Sequence, residues 1–173
     1  MTIQEIWVLF NLIVAFLILI VDPELYISCL RKCLYIKGSL IGLVLAPVAL
    51  FLGLFLSNYI PSSGNGNPYT SSVPLIVSVM ILLPLFAIAE TEVFQKLPIE
   101  KLGKIGVPVS SVIFGAVHAI QNFDLLSGVV LTFVGAVFAV SYIKGGLKLT
   151  ASIHYSYDLT LLVALLICHL LKS

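Results

Sequence analysis

Four ionisable side chains, Glu90, His118, His154 and Asp158, lie inside stretches otherwise apolar enough to dissolve in lipid. On insertion scales an ionised carboxylate at mid-bilayer costs roughly 2.5–3.5 kcal/mol, so each must find a partner, water or chemical work. Glu90 belongs to one apolar segment, His118 to the next, and His154 with Asp158 to a third. Three helices could therefore converge on one polar pocket. His154 and Asp158 are four residues apart and project from one helical face. Phe114 and His118 have the same relation, which puts a ring beside an imidazole. Such a set suits two chemistries. Glu90 can act as a general base that takes a proton from water while His118 orients or shares it. Alternatively, the four groups can coordinate a divalent ion such as zinc, which activates the water instead.

The elements that must position these groups follow from composition. Of 173 residues, 60% are hydrophobic and 10% charged, where a soluble domain is about a quarter charged. Near-uncharged runs of about twenty residues succeed one another, which predicts an all-α, polytopic transmembrane bundle. Six spans are expected, at 6–21, 39–60, 73–95, 107–121, 125–143 and 148–171. The turn-rich stretch 61–72 separates an N-terminal helix pair (6–60) from a four-helix core (73–171) that holds the whole quartet, all within a single integral membrane domain. No basic patch of the kind nucleic acid requires is visible, so the bilayer and not a nucleic acid is the expected partner. Cys29, Cys33 and Cys168 are too few for a disulfide framework; Cys29 and Cys33 share a helix face and read as an interfacial pair. The N-terminus lacks a basic leader, so the first apolar run is expected to be retained.

Basic residues set the expected orientation. Arg31, Lys32 and Lys37, then Lys96, Lys101 and Lys104, then Lys144 and Lys148 fall in alternate connections, while 61–72 and 122–124 carry none. This predicts three cytoplasmic loops and both termini outside. At about 1.5 Å of rise per residue, all four polar residues lie at similar depth, in the cytoplasmic half or near the midplane. The expected location is a prokaryotic cell membrane. Gly38-x-x-x-Gly42 and Gly135-x-x-x-Ala139 are small-residue faces suited to close helix approach. Glu92 points away from Glu90, with Lys96 one turn on, and reads as a solvated surface pair. Asn122 reads as a helix terminator and His169 as structural.

Three matching stretches are Glu90-Thr-Glu-Val-Phe-Gln95, Phe114-Gly-Ala-Val-His118 and His154-Tyr-Ser-Tyr-Asp158. In order and on separate spans, they resemble the CAAX protease and bacteriocin-processing family, which includes the type II CAAX prenyl endopeptidases. Its motifs are E-E-x-x-x-R, F-x-x-x-H and H-x-x-x-N or H-x-x-x-D. The resemblance covers 73–171 and implies a metal-independent intramembrane glutamic endopeptidase that needs no cofactor. Its substrate would be a membrane-associated peptide, including a prenylated CAAX-type C-terminus, cut from the cytoplasmic side. Glu90 would take the water-activating place with His118 assisting, and His154 with Asp158 would line the oxyanion side. Thr91 and Gln95 replace the second acid and the arginine, which reads as exchange of an ion pair for a neutral hydrogen-bonded pair. Two other readings use the same residues: a non-catalytic relative acting as an immunity or scaffold protein, and a metal-dependent membrane hydrolase or carrier.

Overall fold

A computed structural model of the chain describes Ile13, Leu17, Ile20, residues 23–62 and residues 73–171. Most of the expected span 6–21, most of the 61–72 connection and Lys172 lie outside the described residues. Among those described, the chain is helical and contains no strand. Helix α1 is Pro23–Cys33, α2 is Ile36–Leu56 and α3 is Val73–Glu90. A π-helical turn, Thr91–Lys96, leads without a break into the short α4, Leu97–Leu102. A 3-10 turn, Gly103–Ile105, then precedes α5, Gly106–Asn122, and α6 runs from Leu125 to Leu170.

Among the described residues, three stretches are long and apolar enough to cross a membrane: Ile36–Leu56, Ile76–Asn122 and Leu125–Leu170. The second and third cannot be straight rods. At 1.5 Å per residue, 46 residues would reach about 69 Å, against a hydrocarbon core of about 30 Å. Each reverses at a glycine with positive φ, Gly103 at 59° and Gly146 at 64°, a backbone region that glycine enters without a Cβ penalty. The reversal at Gly146 is measured by Phe138 and His154. They would be about 24 Å apart along a straight helix, yet their rings stand 4.5 Å apart. Helix α6 is thus a hairpin of two arms, divided at Gly146 between the expected helices 125–143 and 148–171.

The third expected span differs in extent. Its helix continues past residue 95 to Leu102, with Pro98 in the first turn of α4. Helix α5 ends at Asn122, as its sequence suggested. Phe123 is left-handed, the Asp124 carboxylate accepts from the Ser127 N–H at 3.0 Å, and Asn122 Nδ2 donates to Ser127 Oγ at 3.4 Å.

Small residues let the helices close on each other. A Cβ at Gly38 or Gly42 would overlap Ser152 Oγ or Ser156 Oγ respectively, so α2 lies directly against the second arm of α6. A Cβ at Gly115 would likewise overlap Thr132 Oγ1, which sets α5 against the first arm. The core between these helices holds Leu45, Ala49, Phe114, Val134, Phe138 and Ile153. Helix α1 packs on α3 through buried Cys29 and Cys33, the latter with its Sγ 3.8 Å from the Pro84 carbonyl. The cysteine pair is therefore packing.

Candidate active site

The fold brings the four polar residues of the sequence together. Glu90 ends α3, His118 lies late in α5, and His154 and Asp158 share a face of the second arm of α6. Glu90 Oε2 stands 3.9 Å from His118 Nε2 and 3.5 Å from His154 Nε2. Asp158 Oδ2 is 3.2 Å from the same His154 nitrogen. Along the chain, Glu90 and His118 are 28 residues apart, so the reversal at Gly103 is what makes them neighbours.

Each imidazole is fixed from behind. His118 Nδ1–H donates to the Phe114 carbonyl at 2.8 Å, one helical turn back. Its Nε2 therefore faces Glu90. The Phe114 ring lies 4.4 Å from the His118 ring between centroids. His154 is buried, with Phe138 tilted against it at 4.5 Å and Phe114 edge-on at 5.7 Å. Its Nδ1 lies 3.4 Å from Thr91 Oγ1, so its Nε2 is presented to the two carboxylates. Phe138 carries no signal in the sequence: any large apolar residue there would fit the pattern of its span.

The π-helical turn explains how α3 supplies both Glu90 and Thr91. Leu97 N–H bonds to the Glu92 carbonyl, five residues back, which widens the helix. Such turns concentrate at functional sites because they re-aim side chains. The neutral pair expected between Thr91 and Gln95 does not form. Thr91 turns to His154, while Gln95 is buried with neither Nε2 nor Oε1 hydrogen-bonded. The widened turn, which the sequence did not suggest, changes the spacing on which that pairing was based. Glu92 does pair with Lys96, at 3.4 Å on the exposed side.

The site is closed below and open on one flank. The His154 side chain is 3% exposed, whereas Glu90 keeps 36% and Asp158 31%. Among the described residues, no group of three or more His, Cys, Asp or Glu side chains is arranged to hold a metal ion. Residues 71–160 match the family described as type II CAAX prenyl endopeptidase Rce1-like. The chain belongs to this family. No curated protein and no solved structure matches it. The Rce1-like match spans Glu90, His118, His154 and Asp158 together, and stops before the end of the second arm of α6. With its apolar helices, this Rce1-like chain is an integral membrane protein of a CAAX-type protease family. A peptide or prenylated-protein substrate in the membrane is what membership suggests.

Proposed function

We propose that the protein is an intramembrane glutamic endopeptidase in which Glu90 and His118 activate water, and that residues 73–171 form its catalytic core. The observation that carries this reading is the placement of Glu90 Oε2 within 3.9 Å of His118 Nε2. With its proton held on Nδ1 by the Phe114 carbonyl, a neutral His118 offers a lone pair at Nε2. A carboxylate and that lone pair are both acceptors, so the species that fits between them is a water donating one hydrogen to each. The water oxygen then attacks the scissile carbonyl carbon as its proton passes to Glu90. Glu90 returns that proton to the departing amine as the C–N bond breaks.

His154 Nε2–H is the donor available to the developing oxyanion. Asp158 and Glu90 approach the same nitrogen, so a substrate carbonyl takes over a hydrogen bond that the resting site gives to a carboxylate. Asp158 thus competes for the donor as well as holding the ring. Asp158→Asn, which adds an N–H donor and removes the competing charge, is expected to retain or raise the cleavage rate of a prenylated peptide. Abolished cleavage in Asp158→Asn would mean that the negative charge is what His154 needs. The flank where Glu90 and Asp158 are exposed is the proposed entry for a substrate arriving within the bilayer, its cut end toward the cytoplasm.

The test uses the full-length protein in nanodiscs with a fluorogenic prenylated CAAX-type peptide. Wild type should cleave it, and cleavage should survive a metal chelator. His118→Ala should lower kcat about 10²–10⁴-fold, the usual worth of a positioned proton-transfer group. Chelator inhibition restored by zinc would favour the metal-dependent reading. A non-catalytic scaffold or immunity role is favoured by one observation, the loss of the family's charges at Thr91 and Gln95. It predicts no cleavage by wild type and an unchanged phenotype for Glu90 variants.

A further inference from the structure

Away from the candidate active site, the fold assembles a basic cleft that no run in the sequence announces. One hollow of about 560 Å³ lies among Glu24, Ile27, Ser28, Arg31, Lys32 and Lys148. A second, of about 450 Å³, shares Arg31 and Lys148 with it and adds Lys37 and Tyr35. Four of the nine Lys and Arg residues of the chain therefore border this adjoining pair of hollows. Glu24 is the one carboxylate lining it, and none of the four cations is in an ion pair among the described residues. Lys148 arrives from more than a hundred residues away and rests over the Tyr35 ring, 4.9 Å from its centroid. That contact ties the start of the second α6 arm to the α1–α2 turn.

The surroundings are apolar. Ile27, Leu34 and Ile36 are 47%, 58% and 74% exposed, and the membrane-long α2 begins at Ile36, continuing with exposed Leu40 and Val44. Cations at the head of a lipid-facing helix have the layout of a headgroup site: phosphate among the cations, acyl chains along the apolar face. We propose that this cleft binds the phosphate headgroup of an anionic phospholipid. Each Lys or Arg near an anionic interface strengthens attraction, and four around one hollow add to one another.

The test is native mass spectrometry of the full-length protein released from nanodiscs of phosphatidylcholine mixed with phosphatidylglycerol. Wild type should retain phosphatidylglycerol in preference to phosphatidylcholine. The double variant Arg31→Gln/Lys148→Gln should lose that retention about tenfold or more, and Lys37→Gln alone should lose part of it. Lys101→Gln/Lys104→Gln, which removes two exposed cations outside the cleft, should match wild type. Equal retention of both lipids by wild type overturns the proposal, as does an equal loss in the two double variants. Displacement of the lipid by inorganic phosphate would reassign the cleft to a soluble phosphate compound. If the Arg31/Lys148 variant does not fold, the wild-type lipid preference and Lys37→Gln decide the matter.

Discussion

Glu90→Gln is expected to abolish peptide cleavage while leaving the helices and their melting behaviour intact. The substitution keeps the shape of the side chain and removes its ability to accept a proton. A lost general base costs about 10²–10⁴ in rate, which would put the variant at or below detection. The neighbouring groups make the folded state tolerant of the change. Glutamine retains a carbonyl oxygen for His154 Nε2–H, and Asp158 still pairs with that nitrogen at 3.2 Å. Circular dichroism and thermal unfolding in detergent should therefore superimpose on wild type, while the fluorogenic assay reads zero. A variant with wild-type turnover would remove Glu90 from the chemistry.

The second large effect is structural and lies on the helix that carries none of the chemistry. Gly42→Ala places a methyl where Ser156 Oγ and the Ile153 carbonyl already stand, with Tyr157 N at 2.8 Å. Two of these three atoms are backbone, so the collision cannot be relieved by turning a side chain. The helices must separate, and overpacking of this kind costs about 1–3 kcal/mol. For a chain of this size each kcal/mol corresponds to about 2–4 °C in Tm. Gly53→Ala on the same helix is the matched control. Its Cβ would meet nothing closer than Val130 Cγ2 at 3.8 Å, so Tm should hold or rise through helix propensity. Because Ser156 and Tyr157 flank Asp158 on the α6 arm, Gly42→Ala should also depress cleavage.

The convergence of Glu90, His118, His154 and Asp158 was legible because lipid leaves ionisable groups so few places to go. Helical spacing then assigned His154 with Asp158, and Phe114 with His118, to shared faces. Gly38 and Gly42 were legible as a close-approach face for the same reason of spacing, though not their partners Ser152 and Ser156. Other features had no local signature. The π-helical turn leaves no mark on composition, and without it Thr91 and Gln95 read as partners, whereas Thr91 meets His154. Phe138 looks like any residue of an apolar span until the hairpin folds it onto His154. The basic cleft depends on Lys148 meeting residues 31–37, a long-range event that charge counting along the chain cannot register.

The widened turn after Glu90 also sets the phase between the two halves of its helix. Removing one residue between 91 and 96 would let the segment relax to ordinary winding with little change of phase, whereas removing one from the regular helix that follows, between 97 and 102, would swing everything upstream by about 100°. In the second case Glu90 would point away from both imidazoles while every motif residue remained in the chain. Homologues with a single gap just beyond this turn should accordingly be inert, while those with a gap inside it should keep Glu90 in place.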